Sequence, residues 1–318
     1  MRLLILGGTS FVGRAIVTDA LDRGHHVTLF NRGRRAPDLF PQAERRIGDR
    51  QVGDYASLAT GTWDAVIDVS AYVPRHAGQA IDAVGERCGR YLFISTGSVY
   101  DHKRMSPGAD EEAPRLPPER DTEEVTDRSY GPLKVACEDD VQERLGERAT
   151  IVRPGVVAGP YDPTDRFTYW VRRAARGGRV ALPGRPDQPV QVLDSTDLAR
   201  LVVLLAERDR PGTFNAVGPA EPVTLAGLIQ ACAQAGGSTV DIVPVRPELA
   251  PRRLPLVVPD PSYDAFNQRS AARAYAEGMP ATPLTQTAAA VLAWDRERGE
   301  PPLQVELSPE QEAAMLAG

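Results

Sequence analysis

Along the first 155 residues, short apolar runs rich in β-branched side chains alternate with longer stretches of helical period. The runs fall at Arg2–Leu6, Val27–Phe30, Ala65–Val69, Tyr91–Ser95 and Thr150–Val152. Their length and composition predict buried strands. Amphipathic segments at Phe11–Arg23, Arg75–Cys88 and Tyr130–Leu145 predict helices between them. Another strand is expected just before Gly48-Asp49-Arg50. Strands that alternate with helices form βαβ units, and their right-handed crossovers build a parallel sheet. The predicted fold class is therefore α/β, a doubly wound parallel Rossmann sheet, with a smaller C-terminal region.

Two segments break this rhythm. Asp101–Arg128 is rich in Pro, Glu, Asp and Arg and has no period. A loop of that length is expected to be either disordered or a lid over a site. Beyond Pro154, glycine and proline recur at short intervals, and helices are expected at Asp194–Ala206, Thr224–Ala235 and Pro283–Arg298, with a strand at Thr213–Ala216. The chain thus divides into a regular part over 1–158, with returns to its sheet near 190–217, and a more irregular part over 159–318.

Charge and composition narrow the function. A formal charge of −6 argues against nucleic acid as a partner, because neutralising phosphates needs clustered positive charge. No apolar run approaches the roughly 20 residues that span a bilayer. Leu3–Leu6 is too short for the apolar core of a signal peptide. Cys88, Cys137 and Cys232 are odd in number and widely spaced, and the four histidines form no ligand cluster, so neither a disulfide framework nor a metal site is expected. These features point to a cytoplasmic protein. His25 and His26, between a helix and a strand, read as solvated surface. Of 37 basic residues only Lys103 and Lys134 are lysines, which singles out positions where arginine cannot substitute chemically.

The candidate chemistry begins at the first strand, which runs through Gly7-Gly8-Thr9-Ser10-Phe11-Val12-Gly13 into a helix. Gly7 and Gly8 allow a tight turn, Gly13 allows close packing, and the free N–H groups of the helix start meet a pyrophosphate. Gly7, Thr9, Ser10, Phe11 and Val12 are therefore cofactor candidates. The next strand ends in Asn31-Arg32-Gly33-Arg34-Arg35, with no acid to hold a ribose diol. Asn31, Arg32 and Arg35 would face the adenosine end, and arginine pairs well with a phosphate, so NADP is favoured over NAD. Asp49 could accept from the adenine amino group. Ser70 and Ala71, beyond the Ala65–Val69 strand, complete that side of the crevice.

Tyr130 and Lys134 stand four apart at a helix start and share one face. A free tyrosine is a poor acid–base group at neutral pH, and a neighbouring ammonium favours its phenolate. The lysine can also hold the ribose hydroxyls, so Tyr130 and Lys134 are cofactor candidates as well. The Ile94-Ser95-Thr96-Gly97-Ser98 turn places hydroxyls at the carboxyl end of a strand, where doubly wound proteins bind ligands. Thr96 or Ser98 could orient a substrate oxygen. Tyr161, Arg166, Tyr169 and Trp170 could line a substrate pocket or simply pack.

The glycine turn, Ser95-Thr96-Gly97-Ser98-Val99-Tyr100 and Tyr130-Gly131-Pro132-Leu133-Lys134 together resemble the short-chain dehydrogenase/reductase superfamily, and most closely its extended branch, the NAD-dependent epimerase/dehydratase family. The resemblance covers about the first 220 residues, and it implies a dinucleotide-binding domain over 1–158 and a mainly substrate-binding cap over 159–318. It implies Thr96, Tyr130 and Lys134 as catalytic residues, and Pro154 and Val156, in Arg153-Pro154-Gly155-Val156, as neighbours of the nicotinamide amide. Ser10 replaces a glycine of the extended pattern and Asn31 replaces its usual acid. Divergent members with a similar start include chloroplast stem-loop RNA-binding proteins. The expected function is an NAD(P)-dependent oxidoreductase or epimerase acting on a nucleotide sugar or similar small compound. A catalytically silent cofactor sensor or RNA-binding protein is the alternative. Many extended relatives pair through helices such as Tyr130–Leu145, which makes a homodimer one candidate assembly while the sequence leaves the oligomeric state open.

Overall fold

The computed structural model describes residues 1–317, so residue 318, the last of the expected cap, lies outside the described residues. The first six strands are β1 (Arg2–Leu6), β2 (His26–Asn31), β3 (Glu44–Ile47), β4 (Trp63–Asp68), β5 (Cys88–Ile94) and β6 (Ala149–Pro154). Then come β7 (Val156–Ala158), β8 (Gly178–Leu182), β9 (Pro189–Val190), β10 (Val192–Asp194), β11 (Gly212–Ala216), β12 (Val223–Thr224) and β13 (Val240–Pro244). The helices are α1 (Phe11–Asp22), α2 (Pro74–Val84), α3 (Tyr130–Leu145), α4 (Arg166–Ala175), α5 (Ser195–Glu207), α6 (Leu225–Ala235), α7 (Ala272–Ala276), α8 (Leu284–Glu297) and α9 (Pro309–Ala317).

Seven strands form one parallel sheet in the order β11-β6-β5-β4-β1-β2-β3. Leu3, Leu4, Ile5 and Leu6 are fully buried, because both faces of the central strands are covered. Such strands need an unbroken apolar run rather than alternation. Helices α1 and α5 pack together on one face, whose core includes Ile5, Ile16, Leu201 and Val202. On the other face, α2 and α3 close over Leu4, Val66, Tyr91 and Phe93. The chain leaves β1 toward β2 in one direction and later toward β4 in the other. The carboxyl ends of β1 and β4 therefore border a crevice at the topological switch point.

The later sequence returns to this sheet and also builds a separate apolar cluster. β11 adds beyond β6, and α5 supplies the crossover. Phe167, Trp170, Leu228 and Val291, from α4, α6 and α8, form a second core with Leu182 of β8. Tyr169 and Trp170 are buried there, Trp170 donating its indole N–H to the Pro255 carbonyl at 2.7 Å. Both are packing residues, not pocket lining. Helix α4 and the short strands β7–β10 have no counterpart in the predicted elements; the strands, runs of two to five residues, carry too little period to read.

Neither expectation for Asp101–Arg128 describes it. The segment is pinned to the domain: Leu116 N–H donates to the Val99 carbonyl at 2.8 Å, Glu119 N–H to the Pro132 carbonyl at 3.0 Å, and Glu111 accepts from the Asn215 N–H at 2.7 Å. None of its residues lines the main cavity. His25 also departs from the solvated reading, since its Nε2 lies 2.8 Å from Glu207 Oε1.

Candidate active site

At the end of β1, Gly7 and Gly8 adopt φ of 118° and 94°, open only to residues without a side chain at low cost. A Cβ on Gly13 would come within 2.7 Å of the Gly8 backbone nitrogen. The turn therefore lies flush against the first turn of α1, and both border one cavity. This is a cradle that fits a dinucleotide pyrophosphate.

A cavity of about 560 Å³ opens at this turn. Its lining includes Gly7, Thr9, Ser10, Phe11 and Val12 at one end and Thr96, Tyr130, Lys134, Pro154 and Val156 at the other, with Ser70 between them. An adjoining cleft of about 320 Å³ holds Asn31, Arg32, Arg35 and Asp49. Ala71 is the exception among the expected cofactor residues. It lines neither space and instead offers its carbonyl to Lys134.

Local hydrogen bonds set these side chains. Asn31 accepts from the Gly33 N–H at 2.8 Å, which shapes the turn after β2. Arg35 donates to Ser10 Oγ at 2.9 Å, so the basic loop reaches the helix start. Asp49 accepts from the Gln51 N–H at 3.0 Å and caps its own turn. Ser70 donates its hydroxyl to the Leu6 carbonyl at 3.0 Å.

Tyr130 opens α3, with Pro132 in the first turn, where no intrahelical N–H is required of it. Lys134, one turn on, is 3% exposed. Its ammonium donates to the Ala71 and Ile94 carbonyls, both at 2.8 Å, and lies 4.0 Å from the Phe93 ring centroid. Burial brings its pKa down from 10.5 to about 8. Burial also pushes the Tyr130 phenol up, while a hydrogen bond with Thr96 works the other way. Thr96 accepts from the Ser98 N–H at 3.1 Å and donates to Ser98 Oγ at 3.3 Å.

Asp68 is a residue that sequence reasoning passed over. Fully buried at the end of β4, it accepts from the Ser70 and Ala71 N–H groups at 3.0 and 3.2 Å and from the Tyr91 hydroxyl at 2.8 Å. Arg50 pairs with it at 3.1 Å. Asp68 thereby fixes the loop whose carbonyl holds Lys134. Its sequence signal was an acid closing an apolar strand, which is also what a strand leaving the core looks like. Arg269 and Phe266 are other unforeseen lining residues, brought in from about 170 residues beyond Thr96.

The lysine count makes its ionisation measurable. A chain labelled with ¹³C-lysine carries two ε-carbon signals, from Lys103 and Lys134. One is expected to titrate near pH 8 and to vanish in Lys134→Arg. Two signals that both titrate at the ordinary lysine value would refute the buried-ammonium geometry. Because the folded pKa lies below the unfolded one, the unfolded chain binds more protons between about 8 and 10.5. This group's contribution to stability thus rises with pH across that window, and its full penalty applies below it.

Sheet order, glycine cradle and crevice define a nicotinamide-dinucleotide-type Rossmann protein with a tyrosine–lysine pair at the far end of its cleft. The chain belongs to the NAD dependent epimerase/dehydratase family, whose profile matches residues 3–217, and so to the enzymes of the short-chain dehydrogenase/reductase type. It is 28% identical over 255 residues to the chloroplast stem-loop binding protein of 41 kDa b of Arabidopsis thaliana, covering 74% of this chain and 63% of that protein. Identity to a 3 beta-hydroxysteroid dehydrogenase/Delta 5-->4-isomerase of Mycobacterium tuberculosis is 25% over 272 residues, covering 73% and 70%. The UDP-glucuronic acid 4-epimerase of Bacillus cereus, solved in complex with NAD, superimposes with a TM-score of 0.70 at 16% identity, covering 93% of this chain and 99% of that one. Among the described residues, no helix is long and apolar enough to cross a membrane, and no group of three or more His, Cys, Asp or Glu could hold a metal.

Proposed function

We propose that this protein is an NAD(P)-dependent oxidoreductase or epimerase acting on a nucleotide sugar or similar small hydroxyl or carbonyl compound. The convergence of Thr96, Tyr130 and Lys134 on the cavity that also contains the glycine turn carries this reading. The nicotinamide, when bound, supplies or accepts the hydride. Tyr130 passes the proton to or from the substrate oxygen, and Thr96 holds that oxygen by its hydroxyl. The Lys134 ammonium favours the phenolate electrostatically. Gly97-Ser98 offers no carboxylate beside Thr96, which favours reduction or epimerisation over dehydration. Residues 159–318 would mainly bind substrate, and a homodimer would form through α2 and α3, a matter for light scattering.

NADP is the proposed dinucleotide. Arg32, Arg34 and Arg35 border the adenosine-end cleft, and β2 ends in Asn31 rather than an acid. A 2′-phosphate would find two or three charge-assisted donors there. Calorimetry at one fixed salt concentration tests both levels of the proposal. NADPH is expected to bind at least tenfold tighter than NADH, and Arg32→Ala to erase most of that margin. Preference for NADH would sink the phosphate argument and leave the enzyme reading standing. Binding of neither would sink both.

The stem-loop binding relative favours a second reading, a protein that keeps the cofactor cleft without turnover. A Tyr130→Phe variant that retained full biological activity would support it.

A further inference from the structure

Arg269 follows a 3₁₀ turn over Pro261–Gln268 and lines the main cavity. Its backbone is clamped from both sides: its N–H donates to Gln191 Oε1 at 3.2 Å, and its carbonyl accepts from Gln191 Nε2 at 2.8 Å. The side chain is 4% exposed. Its Nε donates to the Phe266 carbonyl at 2.9 Å, and the guanidinium lies 4.2 Å from the Phe266 ring centroid.

The rest of the guanidinium is uncompensated. Nη1 is buried with no hydrogen-bond partner. Among the described residues no carboxylate forms an ion pair with Arg269. The charged group that acts on it is another cation, Arg153, with the Tyr100 ring beside it. Burial lowers its pKa to about 10, which still leaves it charged at neutral pH. A buried cation without an anion is costly, so one that persists in a cleft marks a functional position.

The cavity wall is shaped to admit this group. A Cβ on Gly97 would lie 1.7 Å from Arg269 Nη1, and one on Gly155 would lie 3.2 Å from Nη2. The position after Thr96 thus has no side chain, and a guanidinium occupies the space a side chain would need. Arg269 lines the same cavity as Thr96 and Tyr130.

We propose that Arg269 binds an oxyanion of the substrate, a carboxylate carried close to the reacting carbon, and so selects acidic hydroxyl or carbonyl compounds over neutral ones. This rests on the reading of the cavity as the place of reaction. A planar fork of N–H donors matches a carboxylate in a way that a lysine does not.

The test pairs matched probes on the whole chain saturated with its dinucleotide. Lactate is compared with propane-1,2-diol, and glycerol 3-phosphate with glycerol, by calorimetry at constant ionic strength. Lactate is expected to bind at least tenfold tighter than the diol, and Arg269→Gln to bring the two within twofold. Arg269→Lys should fall between. A glycerol 3-phosphate preference larger than the lactate one would replace the carboxylate by a phosphate and overturn the class proposed. Equal lactate binding by the parent and Arg269→Gln, or none by the parent, would overturn the subsite altogether.

A purely structural arginine is told apart by melting in oxyanion-free buffer. Arg269→Gln is expected to melt no lower than the parent, because an uncompensated buried charge has gone. A clear drop in Tm would place the residue in the scaffold instead. Dinucleotide titration comes first and is scored separately. Its failure would count against the proposed function, whereas the lactate comparison, repeated without dinucleotide, reads Arg269 alone.

Discussion

Tyr130→Phe is expected to lower kcat by about 10² to 10⁴-fold, the range that a positioned general acid–base contributes, while dinucleotide affinity stays within about twofold of the parent. The separation follows from geometry. The phenol lies beside Thr96 at the far end of the cavity, whereas the pyrophosphate cradle depends on Gly7, Gly8 and the start of α1. Removing one hydroxyl oxygen leaves the ring, its 6.2 Å contact with Tyr72 and the packing of α3 in place. Single-turnover kinetics on whichever hydroxyl or carbonyl compound a screen yields would measure the chemical step directly. A kcat that survives the substitution would remove Tyr130 from the chemistry and return the protein to the cofactor-sensing reading. Lys134→Met should be comparably damaging but less informative, since its ammonium also ties the Ala71 and Ile94 carbonyls together.

Glu138→Ala is expected to lower the unfolding free energy by about 3–5 kcal/mol, the usual consequence of stripping one partner from a buried ion pair. Glu138 on α3 is 1% exposed and receives Arg153 of β6 through two bonds, at 2.9 and 2.7 Å. Arg153 also donates to the Tyr100 hydroxyl and the Glu111 carbonyl, both at 2.9 Å. The Tyr100 hydroxyl in turn donates to Asn215 Oδ1 at 2.7 Å. One pair therefore connects α3, β6, β11 and the pinned segment Asp101–Arg128. Without Glu138, Arg153 has Arg115, another cation, on its side of α3. Urea unfolding followed by far-UV circular dichroism gives the difference, and a loss below about 1 kcal/mol would show that Arg153 finds other compensation. The Tyr130 and Glu138 predictions are separable, because the first changes turnover at constant stability and the second changes stability first.

What the sequence alone determined was the part of the protein governed by local rules. A strand buried on both faces must be an apolar run, and a tight turn with positive φ calls for glycine. Two residues on one helix face must stand three or four apart. For these reasons β1, the Gly7–Gly13 turn, α3 and the Tyr130–Lys134 spacing were all readable, and with them the parallel character of the sheet that the first half builds. The tertiary structure alone decided features that depend on partners distant in the chain. Asp68 is a strand-end acid until Ser70, Ala71, Tyr91 and Arg50 gather around it. Tyr169 and Trp170 suited a pocket as well as a core until α6 and α8 covered them. The polar composition of Asp101–Arg128 hid a segment anchored by Glu111 and Arg153, because hydrogen bonds to remote backbone leave no period behind. Arg269 looks like any surface arginine in the sequence, and only folding sets it against Gly97, 172 positions earlier, with its charge buried and unpaired.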